Sequence, residues 1–263
     1  MTRALVLARG LGTRMRATDP GAVLTAAQAR AADAGFKAMM PVHGRPFLDY
    51  VLSAVADAGI EHAALIVAPD HAAIRNHYEH HAPARVHVEY VVQPEALGTA
   101  NAMLSAESWC GADPFIVLNS DNLYPSAVLK ALADLNEPGL AVFARNALVR
   151  DSNIPPERIR AFALVEIDAE GYLARIIEKP PSDVEAALVS MNCWRFDARI
   201  FDACRDVPRS ARGEFELPEA VALAVARGAR IRGIAASGAV LDMSTRADAA
   251  DVERRLSDVV PNP

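Results

Sequence analysis

The segment Ala4-Leu5-Val6-Leu7-Ala8 is almost wholly apolar and reads as a strand buried on both faces. It runs directly into Arg9-Gly10-Leu11-Gly12-Thr13-Arg14, a glycine-rich turn that carries fixed positive charge. Gly10 and Gly12 allow backbone conformations closed to other residues, so several amides can converge on phosphate oxygens. Arg14 adds a planar fork of donors. Glycine turns after strands are common and most bind nothing, so an anion site here needs support from elsewhere in the chain.

A dinucleotide fingerprint competes with that reading, because Gly10-x-Gly12 could open G-x-G-x-x-G and Asp33 stands near the right distance for a ribose acid. Met15 occupies the third glycine position, however, and Asp33 falls in the alanine-rich helical segment AAQARAADAG. A nucleoside triphosphate site therefore ranks above a nicotinamide-dependent oxidoreductase.

With 263 residues, 52% of them hydrophobic, the chain can form one large domain or two small ones. No apolar run reaches the length of a membrane span and the N-terminus lacks a signal-peptide pattern, so a cytoplasmic protein without membrane attachment is expected. Cys110, Cys193 and Cys204 are widely spaced and form no C-x-x-C pair, so free buried thiols are expected. A net charge of -6 without a basic block argues against nucleic acid as a partner.

The polar, alanine-rich stretch 16–36 predicts a short helix ended by Gly35, an excursion over the mouth of the site. FKAMMPV follows, with Lys37 its only charge. Pro46 at a first helical position and apolar residues from Phe47 to Val55 predict an amphipathic helix. Strands are expected at HAALIVA, at VHVEYVV near an edge, at FIVLN and at LAVFA. Residues 163–180 read as a hairpin about Glu170-Gly171, followed by strands near SMNCWRF and RIRGIAA. Helices are expected after Asp70, before Trp109, after Pro125, over 216–226 and after Asp242. His77, His80 and His81 read as a polar helix face without a nearby carboxylate. The economical architecture is a parallel sheet with helices on both faces.

Six stretches stand in order along the chain: LARGLGTRMR, FKAMMPV, QPEALGTANA, LNSDNLY, IIEKP and VLDMST. Together they resemble the nucleotidyltransferases that make nucleoside diphosphate sugars from a sugar 1-phosphate and a nucleoside triphosphate. The resemblance implies a Rossmann-like three-layer α/β fold with a mostly parallel central sheet and a small antiparallel substrate-binding part, residues 1–263 forming one domain. It implies that Ala8, Gly10, Gly12 and Thr13, with Arg14, hold the triphosphate and that Lys37 reaches the α-phosphate. Gln93 and Gly98 are implied as the base-reading pair, Thr99 as a further nucleotide contact, and Glu178, Lys179 and Asn192 as contacts of the sugar and its phosphate. Asp121 and Asp242 are implied to hold Mg2+, with Arg14, Lys37 and Asp121 at the reacting phosphate. A homo-oligomer is left open.

The residue types suit that chemistry. A sugar phosphate is already an anion at neutral pH and attacks the α-phosphorus in line without a general base. Positioning and charge neutralisation remain for the protein, and magnesium prefers one or two carboxylates plus phosphate oxygens. Gln93 offers a donor and an acceptor, which matches uracil or thymine; a flipped amide meets cytosine, and GTP also stays open. The chain departs from the resemblance at several points. Arg9 stands where a second glycine is usual, as a phosphate contact or an obstruction. Phe36 replaces a proline, Ser120 a glycine, and Met191-Asn192 a small residue plus glycine. Met243-Ser244 stands where threonine and glycine are common. An unusual sugar or a cyclitol phosphate, and a non-catalytic nucleotide-sugar sensor, follow as alternatives.

Overall fold

The computed structural model describes residues 2–178, 180 and 188–263. Strand β1 (Arg3–Leu7) is where its apolar run places it, with Ala4, Leu5 and Val6 fully buried. Gly12 ends the turn that follows and leads into α1 (Thr13–Arg16). Helix α2 (Ala26–Ala34) begins at a reciprocal cap between Thr25 and Gln28 and ends at Gly35, whose φ of 75° reverses the chain. A short ribbon of β2 (Pro41–Val42) and β3 (Arg45–Pro46) precedes α3 (Phe47–Asp57). Pro46 thus stands one residue before the helix rather than inside it, because its N-terminal neighbour is still paired with β2.

The chain continues through β4 (His62–Val67), α4 (Ala72–His80), β5 (His87–Val92), α5 (Thr99–Ser105) and α6 (Glu107–Cys110). Next come β6 (Phe115–Asn119), β7 (Asn122–Leu123), α7 (Ser126–Ala133) and β8 (Gly139–Ala144). Helices α8 (Arg145–Asp151) and α9 (Pro156–Ile159) lead to β9 (Ala163–Ile167), β10 (Leu173–Ile177) and β11 (Leu188–Phe196). The last elements are α10 (Ile200–Asp206), α11 (Leu217–Ala226), β12 (Arg232–Ala236), β13 (Leu241–Asp242) and α12 (Asp248–Arg255).

Among the described residues, nine strands form one sheet in the order β10-β9-β11-β6-β1-β4-β5, with β8 paired to β11 and β12 paired to β8. The pairs β6-β1, β1-β4 and β4-β5 are parallel, as helical crossovers require. β11 runs antiparallel to β6, β8 and β9, and the expected hairpin β9-β10 lies beyond it. The fold is therefore a mixed α/β sheet, mostly parallel at its centre, with an antiparallel extension.

Side chains alternate across β1, so Ala4 and Val6 enter one hydrophobic core while Leu5 enters another. The first core takes Phe47 and Leu48 of α3, Leu129 of α7 and Val252 of α12. The second takes Met103 of α5, Phe201 of α10 and Val221 of α11. Each face of the sheet thus has its own helical layer, and no helix of the described residues is long and apolar enough to cross a membrane.

Of the stretch 16–36, Gly35 and Phe36 reach the cleft, while α2 leans on the C-terminal segment, where Gln28 donates to Glu253 at 3.3 Å and Arg246 binds Asp33 at 2.6 Å. One local expectation is corrected: His77 is not part of a solvated face. Its Nε2 lies 3.0 Å from the fully buried Asp49 of α3, which also accepts from Tyr78 and Arg45. The final helix begins at Asp248, after β13, because that carboxylate accepts from the amides of Ser244 and Thr245 at 3.0 and 2.7 Å.

Candidate active site

Strands β1 and β6 end side by side, and the motif residues that follow them face one cavity of about 240 Å³. Ala8, Gly10, Lys37, Asp121 and Asn192 line it. A second cavity of about 180 Å³ is lined by Gln93, Gly98, Arg9 and Glu214. Leu7, Gly10 and Thr99 line both, so the two form one cleft. A larger groove of about 410 Å³ elsewhere is lined by Arg199, Arg227 and Arg230. Each of those arginines already pairs with an acid, Asp197, Asp206 and Glu170 respectively, and no motif residue is present.

Lys37 lies in a short 3-10 turn after Gly35, and its Nζ meets Asp121 Oδ2 at 2.9 Å. The two charges come from positions 84 residues apart and are both mostly shielded. Gly12 serves packing: at φ 63°, a Cβ there would lie 2.1 Å from the Gly35 carbonyl oxygen. Gly10 has open space where its Cβ would stand, so it is the glycine that keeps the cleft clear. Thr13 and Arg14 are exposed on α1 and line neither cavity.

Gln93 is buried, and both its amide hydrogens are engaged, on the Gly98 carbonyl at 3.1 Å and on Asn101 Oδ1 at 2.8 Å. The Gly98 carbonyl can only accept, so the amide orientation is fixed and the expected freedom to flip is lost. Thr99 accepts from the Leu217 amide at 2.8 Å, which anchors α11 to the start of α5. Arg9 reaches the carbonyls of Gln93 and Pro94 at 3.1 and 3.2 Å.

Asp242 is brought to Asp121 by the β7-β13 pair and by the Met243 amide, which donates to the Asp121 carbonyl at 2.8 Å. It is 3% exposed and lines neither cavity. Its Oδ1 accepts from Asn122 and Ser244, both at 2.9 Å, while its Oδ2 is buried without a hydrogen bond. Arg158, which clasps Asp248 with both terminal nitrogens, comes within 3.2 Å of that oxygen. Burial and the neighbouring Asp121 push the Asp242 carboxyl up to about 6.

Asn192 adopts φ 57°, a conformation usually left to glycine, at an irregularity in β11. Asparagine tolerates it, so the departure from glycine leaves the backbone path intact. Glu178 follows β10 close enough to Arg212 to favour that residue's charge. Lys179 lies outside the described residues.

Sequence reasoning overlooked His71, which lines the first cavity with its Nδ1 buried and unpartnered. Burial holds the imidazole below its usual range. It also overlooked Glu214 and Arg158. His71, in the loop between the end of β4 and the start of α4, is at a position where α/β sheets place ligand contacts. The other two reach their places through long-range packing alone.

A family model described as nucleotidyl transferase matches residues 3–245, and the chain belongs to that family. It is a nucleotidyltransferase enzyme. A glucose-1-phosphate thymidylyltransferase of Streptomyces antibioticus is 28% identical over 98% of the chain and 67% of that protein. The UTP–glucose-1-phosphate uridylyltransferase AglF of Haloferax volcanii is 27% identical over 97% of each. A crystal structure of UDP-glucose pyrophosphorylase with UDP-glucose superposes with a TM-score of 0.77, 19% identity and 98% coverage of both chains. A UTP-bound enzyme of the same kind from Acinetobacter baumannii gives 0.76 at 20% identity, covering 100% of this chain and 96% of the other.

Proposed function

We propose that this chain transfers a nucleoside monophosphate from UTP or dTTP to a sugar 1-phosphate, forming a nucleoside diphosphate sugar and releasing pyrophosphate. The observation that carries the proposal is the Lys37-Asp121 pair at 2.9 Å, in a cleft continuous with the Gln93 cavity. Lys37 exchanges Asp121 for the α-phosphate when nucleotide enters, and amides of the Gly10 turn receive further phosphate oxygens. The sugar phosphate enters beside Asn192 and attacks in line, its own oxygen serving as nucleophile. Glu178 and Lys179 are assigned to the sugar and its phosphate.

Asp121 and Asp242 suit a divalent ion: they stand near enough for Asp121 to raise Asp242, and Asp242 Oδ2, without a hydrogen bond, faces only the Arg158 guanidinium at 3.2 Å. They would hold Mg2+, which when bound neutralises charge on the triphosphate. Arg158 balances Asp242 before nucleotide arrives.

With its N–H groups engaged, Gln93 has only Oε1 left for a base. An acceptor there suits N3–H of uracil or thymine, while it meets cytosine only at N4–H2 and leaves the bare N3 without a donor. Relatives named for UTP and for dTTP support the same choice. A second reading, GTP, rests on Glu214 in the same cavity, whose carboxylate matches the paired donors of guanine. Relatives named for glucose 1-phosphate point to a hexose 1-phosphate as acceptor.

Pyrophosphate release with Mg2+ across the common triphosphates and several sugar and cyclitol phosphates tests the reaction. Release with UTP or dTTP is expected. Silence from every pair, in protein that binds a triphosphate, would replace the enzyme with a nucleotide-sugar sensor.

A further inference from the structure

Arg9 occupies the first position of the phosphate turn, yet its side chain leaves that turn. The Ala8 amide still pairs with Ile66 of β4, and the Gln93 amide with Val67 of the same strand, at 2.9 and 3.0 Å. Strand β4 therefore separates Arg9 from Gln93, and the gap between β1 and β5 is about 10 Å at ordinary strand spacing. Arg9 crosses the end of β4 with its Nε on the Gln93 carbonyl and a terminal nitrogen on the Pro94 carbonyl. Among the described residues neither carbonyl has another hydrogen-bond partner.

The far end of the same loop is held differently. The Phe215 amide donates to the Leu97 carbonyl at 2.7 Å, and the Phe215 carbonyl accepts from Ala100 at 2.8 Å. A Cβ on Gly98 would meet the Phe215 carbonyl oxygen at 2.5 Å, so this contact is backbone on backbone. The loop from Gln93 to Gly98 is thus fastened at its end by Phe215 and at its start by Arg9.

Resting on the nucleotide reading above, we infer that Arg9 is a positioning residue that ties the phosphate turn to the base loop. It sets Gln93 for the base through two charge-assisted hydrogen bonds. Two of its five N–H donors are committed to carbonyls on the base side, which is where its side chain is held, so the loop rather than the phosphates is assigned as its main contact. A glycine or alanine at this position has no donor to make the tie.

The test combines Arg9→Ala with Arg9→Met, which keeps the apolar stem and removes the donors. Calorimetry measures binding of UTP and dTTP, the matching monophosphates, and inorganic tripolyphosphate. Peptide-level hydrogen exchange of the free protein reads residues 93–100. Both variants should weaken the triphosphate and the monophosphate by about tenfold, equal to about 1.4 kcal/mol. Tripolyphosphate should stay within about twofold of wild type, and exchange at 93–100 should quicken. In turnover the KM for nucleotide should rise while kcat holds.

An equal loss of tripolyphosphate binding would make Arg9 a phosphate ligand and overturn the proposal. Unchanged exchange at 93–100 would overturn it as well. If the unaltered protein binds none of these nucleotides, the proposed function fails, and the exchange measurement alone then decides whether Arg9 holds the loop.

Discussion

Lys37 and Asp121 hold each other at 2.9 Å with little exposure. The pair keeps both charges in the cleft and compensated. Lys37→Ala should lower kcat by about 10²- to 10³-fold, the scale for removing one group that stabilises developing charge. The melting temperature should change by only a few degrees. Steady-state kinetics beside a thermal melt separates the two, and a variant with near-normal kcat would remove Lys37 from the reaction. Asp242 carries a pH signature of its own. Its folded value, about 6, lies above that of an unfolded aspartate, so ionising it weakens the fold. That weakening is absent below about pH 4, grows between pH 4 and 6, and is complete above. In metal-free protein Asp242→Asn should therefore melt higher than wild type at pH 7.5 and equally at pH 4. An equal gain at both values would show that ionisation is not the cause.

At the scale of elements, the cleft is made by strand ends and by the loops fastened to them. The loop from Gln93 to Gly98 depends on Gly98, whose φ of 100° and close approach to Phe215 exclude a side chain. Gly98→Ala should destabilise the chain by about 1–3 kcal/mol, the range for a side chain forced into a strained conformation. It should also weaken nucleotide more than sugar phosphate, because the displaced loop carries the Gln93 cavity. Chemical denaturation and the two KM values check this, and an equal rise in both KM values would place the damage elsewhere. Helix α2 shows how an element can be legible in one respect and not in another. Its start is written in Thr25 and Gln28, a local cap, and its end in Gly35. Its packing against Glu253 and Arg246 is written nowhere near it.

Across the whole molecule, one sheet separates two cores, and the antiparallel strands extend that sheet beyond β6. All three cysteines are buried in these cores. Burial pushes Cys110 and Cys204 up to about 12, and Cys193 further. Their thiols are therefore neutral and shielded at ordinary pH. A thiol reagent at pH 8 should label none of the three in folded protein and all three in denaturant. Rapid labelling of the native chain would contradict the packing described here.

The sequence alone determined what local chemistry can specify. An apolar run fixed β1, alternation placed β5 at an edge, and the order of six motifs identified the family. Those signals are readable because strand periodicity, glycine conformations and caps act over a few residues. Tertiary structure decided what each motif residue does. It paired Lys37 with Asp121 across 84 residues, engaged both hydrogens of Gln93, and carried Arg9 to the carbonyls of Gln93 and Pro94. It also buried Asp242 beside Arg158, a partner 84 positions away that no spacing rule connects to it. Hydrogen bonds and ion pairs of this kind depend on which strand ends meet, and that is set only when the two cores close on the sheet.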